Sequence, residues 1–262
     1  MAVKGLYLMK MGEWYDHAGR SAYGLDWDKR IVGPIFAALI TTDDGNILVD
    51  TGFPPNDERV FQADKPGVGK TSEVYRGDEL EVRSVHDIGE RLKEHNLSVD
   101  DIRYVIVSHL HMDHYGGIQL FKNSTVLIHR DEYSQALYGE KFVRPYFREC
   151  WDLTSLKHEF LDGDKVIVPG VMAMHTPGHT IGHLSVVVDC PRDGTIILAG
   201  DHFHLEYNWL NRVPIGDYIF LPYPVLWYQS WERIKACADR SNARVVPAHD
   251  DEYWKNNPKE FH

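Results

Sequence analysis

Nine short apolar runs rich in Val and Ile narrow the fold of this chain more than any other feature: GLYLM (5–9), FAALIT (36–41), NILVD (46–50), YVIVS (104–108), TVLIH (125–129), KVIVP (165–169), HLSVVVD (183–189), TIILAG (195–200) and ARVVP (243–247). Each is edged by Gly, Pro, Asp or Asn. Runs of this length with such punctuation read as half-buried or fully buried strands. Between ALITT and NILVD stands DDG (43–45), a hairpin signal, so the first part of the chain is expected to be strand-rich and partly antiparallel.

Three stretches have helical spacing instead. Val85, Ile88 and Leu92 fall at i, i+3 and i+7, with Ser84 placed to cap them. RDEYSQALYG (130–139) predicts a short helix stopped by Gly139. Trp227, Trp231, Ile234 and Ala238, at i, i+4, i+7 and i+11, form the clearest amphipathic helix. Strands and helices mixed in this way predict sheets covered by helices, an α/β architecture. With no repeat and no linker-like stretch, residues 1–262 are expected to form a single domain. Two irregular stretches, 54–77 and 203–224, have the length of functional loops and are placed to border a pocket.

Charge and cysteine usage exclude several partners. The net charge of −11 opposes phosphate backbones and anionic membranes, so neither nucleic acid nor a membrane is an expected partner. No run approaches the length of a membrane span, and the N-terminal stretch, broken by Lys10 and Glu13, does not read as a signal peptide. Cys150, Cys190 and Cys237 are scattered and fit neither a disulfide framework nor a thiolate zinc site. A cytoplasmic location is the resulting expectation.

Directly behind YVIVS lies SHLHMDHYGG (108–117), in which His109, His111, Asp113 and His114 spell H-x-H-x-D-H. Residues at i and i+2 of an extended segment project the same way, while the adjacent Asp and His reach a second point, so one loop could feed two metals. Imidazole and carboxylate together suit zinc and other first-row divalent ions. A polar loop whose histidines bind nothing is the competing reading. Further ligand types weaken it: HTPGHTIGH (175–183), AGDH (199–202) and PAHD (247–250) each place His or Asp behind a strand, where several strand ends can converge on one site.

The ordered set ILVDTG, SHLHMDHYGG, HTPGHTIGH, LAGD and PAHD covers most of the chain and resembles the metallo-β-lactamase superfamily. The opening AVKGLYLMKMGEWYDH, together with ILVDTGFP and VPGVMAMHTPGHTIGH, is most similar to its N-acyl-homoserine lactonase branch. The resemblance implies an αββα sandwich of two mixed sheets flanked by helices. It also implies two divalent ions, zinc first, with iron, cobalt or manganese open. His109, His111 and His179 would hold one ion, Asp113, His114 and His249 the other, and Asp201 would bridge them. Asp50 of VDTG matches a carboxylate that orients a ligand imidazole.

The implied chemistry is hydrolytic opening of a lactone ring by a water whose pKa two ions lower, N-acyl-homoserine lactones being the favoured small-molecule substrate. Hydrolysis of another lactone, a thioester or another ester is the alternative, and a diiron redox module the non-hydrolytic one, although that branch usually replaces one histidine of the motif and adds a flavin domain. Asp113 is read as a ligand that could also shuttle a proton. The lactonase branch places a tyrosine three residues after the bridging aspartate; here that position is His204, which could donate a hydrogen bond to the carbonyl or leaving oxygen. Tyr207, Tyr218 and Tyr223 are other sources of a hydroxyl. Among the aromatics Trp14, Tyr15, Phe53, Trp209, Tyr218, Phe220, Tyr223 and Trp227, packing is the favoured role for most; Phe53 is singled out to face substrate, followed by Tyr223.

Three features are set aside. PGVGKTS (66–72) has Asp64 where a phosphate loop needs Gly. His175 and His183 are expected at strand ends, bonded to backbone. His202 is expected to point away from Asp201 in an extended segment. The oligomeric state stays open, a homodimer included.

Overall fold

The computed structural model describes residues 3–54, 69–70, 81–138, 152–216 and 221–262. All nine apolar runs lie within or overlap strands. The first sheet contains β1 (Val3–His17), β2 (Arg30–Thr42), β3 (Asn46–Val49), β4 (Gly69–Lys70), β5 (Glu81–Val85), β6 (Ile102–Ile106), β7 (Thr125–His129) and β8 (Lys157–Leu161) in the order β4-β5-β1-β2-β3-β6-β7-β8. The second contains β9 (Lys165–Val168), β10 (Val171–His175), β11 (Leu184–Cys190), β12 (Gly194–Leu198) and β13 (Arg244–Val246) in the order β13-β12-β11-β10-β9. The terminal β14 (Glu260–Phe261) pairs with β1, setting Phe261 opposite Leu6. Both sheets are mixed: β1-β2-β3 is antiparallel and β3-β6-β7-β8 parallel, while β9 through β12 are antiparallel and β13 joins β12 in parallel.

The layering follows from the two-residue period of the strands. Ala38, Ile40, Ile47, Val49 and Ile106 face Val186, Val188, Ile196 and Leu198 in a core between the sheets. Their neighbours Leu39, Leu48 and Val105 turn the other way and pack with Ile88 and Leu92 of α2 (Ile88–Glu94). On the far side, Val187, Ile197 and Val245 meet Trp227, Ile234 and Ala238 of the long helix α6 (Pro224–Ser241). The result is the expected αββα sandwich. Shorter helices complete it: α1 (Ala18–Ser21), α3 (Met112–Tyr115), α4 (Arg130–Tyr138), α5 (Glu206–Asn211) and α7 (Asp251–Asn256). Among the described residues, no helix is long and apolar enough to cross a membrane.

The DDG segment forms the turn between β2 and β3, which pair in register from Ala38 opposite Val49. The first predicted helix begins later than its spacing suggested. Val85 belongs to β5, paired opposite Gly12, and the helix is capped by Asp87, whose carboxylate accepts from Glu90 N at 3.1 Å, in place of Ser84. Pairing with the far half of β1 overrides the local period. Gly139, Cys150, Tyr218 and Phe220 lie outside the described residues, as does most of the 54–77 loop, PGVGKTS included except for Gly69 and Lys70.

Topology places the site. The strands β3 and β6 run parallel in one sheet, and β10, β12 and β13 share one direction in the other. Asp50 follows β3, His109 and His111 follow β6, His179 follows β10, Asp201 follows β12, and His249 follows β13. Strand ends of both sheets thereby deliver these side chains to one edge of the sandwich.

Candidate metal centre

Two tight turns bring the first sheet's ligand loop into position. Asp50 adopts a left-handed φ of 59° and Gly52 one of 75°, which bends the chain sharply after β3. A Cβ on Gly116 would sit 2.0 Å from Pro54 N, so glycine lets the HYGG segment close against this turn. The contact is tied by Thr51 N donating to His114 O at 2.6 Å and Gly116 N donating to Gly52 O at 2.8 Å. In the second sheet, a Cβ on Gly178, at φ 150°, would meet Trp227 Cα at 2.6 Å, which seats the HTPGH loop on α6.

Three imidazoles converge at one end of the cluster. His109 Nε2 lies 2.8 Å from His111 Nδ1 and 3.2 Å from His179 Nε2, and His179 Nε2 lies 2.9 Å from His111 Nδ1. In a tetrahedral zinc site with Zn–N of about 2.0–2.1 Å the nitrogens stand roughly 3.3 Å apart, close to this triangle. The second group joins Asp113, His114 and His249, with Asp113 Oδ2 3.6 Å from His114 Nε2 and 3.7 Å from His249 Nε2. Asp201 stands between the two. Its Oδ2 is 3.2 Å from His179 Nε2 and 3.7 Å from His109 Nε2, while its Oδ1 is 3.1 Å from His114 Nε2 and 3.0 Å from His249 Nε2. One carboxylate oxygen therefore faces each group.

Outer contacts aim the rings. Asp50 Oδ2 is 2.8 Å from His114 Nδ1, and the same carboxylate accepts from Ser108 N at 2.8 Å and Ser108 Oγ at 2.7 Å. His249 Nδ1 donates to Pro34 O at 2.9 Å, and His109 Nδ1 lies 3.0 Å from Ser108 Oγ. These partners leave the Nε2 atoms of all three rings pointing inward.

The charge balance of the cluster calls for cations. Burial holds His109 well below the ordinary imidazole range, reinforced by His114 and His111, so its lone pair is available. For His114, burial pulls the same way but is outweighed by Asp201, Asp113 and Asp50, and the ring is pushed well above its usual value. His249 is raised on the same balance of burial against Asp201 and Asp113. Asp201 is held well below the carboxylate range because His114, His249, His109 and His179 outweigh the opposing effect of burial. His114 Nε2 and Asp201 Oδ1 are buried and face each other at 3.1 Å without hydrogen-bond alignment. Buried carboxylates among imidazoles, with inward atoms so placed, fit two divalent cations.

A pocket opens onto the cluster. Trp14, Phe53 and Met112 supply apolar lining, His204, His111 and Asp113 polar lining, and the Asp16–Arg20 pair stands with Ser21 at another part of the wall. His204 Nε2 is 3.4 Å from Asp201 Oδ2, and burial holds this imidazole below its usual pKa. Phe53 is thus on the pocket, as is Trp14, one of the aromatics for most of which packing is the favoured role. Tyr223 is half-buried at the start of α6 and is not among the lining residues, and Tyr207 is exposed. His175 bonds backbone as expected, with Nε2 3.0 Å from Ile181 O, whereas His183 pairs with a hydroxyl, Thr176 Oγ1, at 2.9 Å. His202 lies in a 3₁₀ turn instead of an extended segment, and stacks on Trp227 with centroids 5.0 Å apart.

The motif order, the sandwich and this site define a class. The profile of the metallo-β-lactamase superfamily matches residues 30–249, and the chain belongs to that superfamily. Across 260 residues it is 32% identical to an N-acyl homoserine lactonase of Bacillus thuringiensis, covering 98% of this chain and 97% of that one. It is 30% identical to an N-acyl homoserine lactonase of Azorhizobium caulinodans, covering 95% of this chain and 94% of that one. Among solved structures, an N-acyl homoserine lactone hydrolase with the product N-hexanoyl-L-homoserine bound at its catalytic metal center superposes with a TM-score of 0.83 at 30% identity, covering 98% of each chain.

Proposed function

We propose that this protein is a two-metal lactonase that opens the ring of N-acyl-homoserine lactones. The observation that carries the reading is Asp201, which turns one oxygen to each of two ligand groups at the floor of a partly apolar pocket. Full-length similarity to lactonases supports the substrate class. His109, His111 and His179 would hold one ion and Asp113, His114 and His249 the other, with Asp201 shared and Asp50 fixing the His114 ring. Two such ions, zinc by preference for this donor set, would supply polarisation of a carbonyl and a lowered pKa for a water.

The chain's own residues then divide the remaining work. Phe53, Trp14 and Met112 give the substrate's apolar parts a surface to bury against. His204, kept neutral by burial, donates a hydrogen bond to the carbonyl or the departing ring oxygen. Asp113, which also lines the pocket, would take up the proton that the attacking water loses and pass it to that oxygen. The reading takes residues 1–262 as one domain acting in the cytoplasm, where the free thiols Cys190 and Cys237 would stay reduced. It leaves a homodimer open, which sedimentation would decide.

The test is a hydrolysis screen of metal-loaded protein against lactones of varied ring and acyl chain, a thioester and a β-lactam, with metal content measured. N-acyl-homoserine lactones should turn over fastest. Faster turnover of a non-lactone would reject the substrate assignment, and failure to take up two ions per chain would reject the catalytic reading.

A further inference from the structure

A carboxylate outside the ligand set joins the two loops that carry the three-imidazole group. Glu132 lies in the first turn of α4, is 0% exposed, and points inward where a first-turn glutamate would ordinarily meet solvent. Its Oε1 accepts from Leu110 N at 2.8 Å and its Oε2 accepts from Gly182 N at 3.2 Å. Leu110 stands between His109 and His111 on the first sheet's loop, and Gly182 lies three residues after His179 on the second sheet's loop. A Cβ on Gly182 would come within 2.3 Å of Glu132 N, so that loop is seated directly on the helix backbone.

We infer that Glu132 is a positioning residue for the metal centre, setting the register of the His109–His111 loop against the His179 loop through one backbone N–H on each. The inference rests on the metal reading above. The triangle of imidazole nitrogens spans loops from two different sheets, and rigid sheets alone do not fix loop ends to a fraction of an ångström. A single buried carboxylate with an oxygen on each loop does, because both acceptors move together. Ser108 O, which accepts from Leu184 N at 2.9 Å, ties the same two segments from below, so the loops should loosen without the strands separating when Glu132 is changed.

Glu132→Gln keeps size and helix but turns one oxygen into an N–H₂ donor that opposes a backbone N–H. Zinc affinity, measured by chelator competition, should fall about 10–100-fold, the range for residues that support ligands. The cobalt-substituted protein should show an altered visible spectrum. In the metal-free protein, amide exchange should accelerate at Leu110 and Gly182 while Val105 and Val186 keep their protection. Glu132→Asp, which keeps the charge but is shorter, should fall between wild type and Gln, and it serves alone if the Gln variant does not fold.

Wild-type affinity, spectrum and exchange in the folded variants would overturn the inference, as would uniform loss of protection across the core. If the wild type itself takes up no metal, the functional reading falls, and exchange in the metal-free protein still decides whether Glu132 holds the loops.

Discussion

Asp50 Oδ2 lies 2.8 Å from His114 Nδ1, and it gets there from a left-handed backbone at φ 59°. A non-glycine residue in that region costs on the order of 1–3 kcal/mol, which the surrounding structure must offset. Ser108 and the 2.9 Å bond from Asp50 N to Ile106 O hold it there. The strained turn and the aimed imidazole are one feature. Asp50→Asn removes the charge and offers an N–H₂ group to His114. Metal analysis after chelator challenge should show the ion of the Asp113–His114–His249 group lost first, with affinity reduced about 10–100-fold.

His204 lines the pocket with Nε2 3.4 Å from Asp201 Oδ2, and the proposed function makes it a hydrogen-bond donor to the reacting oxygens. His204→Phe, with metal content matched to wild type, should lower kcat/KM by roughly 10²-fold, the effect of removing one such donor. The pH profiles of kcat/KM for the two proteins are the decisive comparison. Superimposable profiles would remove His204 from the mechanism.

The buried pair Asp16–Arg20 is joined at 2.9 Å with both side chains 3% exposed. Burial raises the Asp16 pKa, and the guanidinium of Arg20 opposes that rise. Arg20→Met should strand the carboxylate and cost about 3–5 kcal/mol in urea unfolding, while Asp16→Leu combined with Arg20→Met should recover most of it. Equal loss in both variants would mean that packing at the pocket wall, not the charge, is what the pair contributes.

Acid should destabilise the protein through His129, which stacks on His175 with centroids 3.8 Å apart. Burial, with His175 beside it, lowers the folded-state pKa of His129 from 6.5 to about 4. As pH falls below 6.5 the unfolded chain takes up a proton that the folded chain refuses, so stability present above that value is lost down to about pH 4. In metal-free protein, His129→Phe should reduce the proton uptake on unfolding in this window by up to about one. An unchanged acid limb would show that His129 is accommodated as the cation.

Most of the strands that could be read in advance carry β-branched residues, GLYLM of β1 being read from its apolar run alone. β10, as VMAMH, and β8, as KHEFL, offered little such local information: Met and Ala have weak strand preference, and β8 is a largely exposed edge strand. The start of α2 at Asp87 depended on β5 pairing with β1, whose partners lie some seventy positions apart. Ligand residue types were legible because metals demand imidazole and carboxylate at close spacing. Ser108, Pro34 O and Glu132 were not, since a serine, a carbonyl and a helix glutamate carry no mark of what they will touch.

By itself the sequence determined the apolar runs that become strands and the H-x-H-x-D-H cluster, because both are written in short-range order. The full set of seven ligand-type side chains and the four layers came from the resemblance of its ordered motifs to a family. Only the tertiary structure decided which oxygen of Asp201 faces which group, that Trp14 lines the pocket beside Phe53, and that Glu132 turns inward. Those relations join segments from two sheets, and the distances between such segments are set by packing across the whole sandwich, which no local pattern encodes.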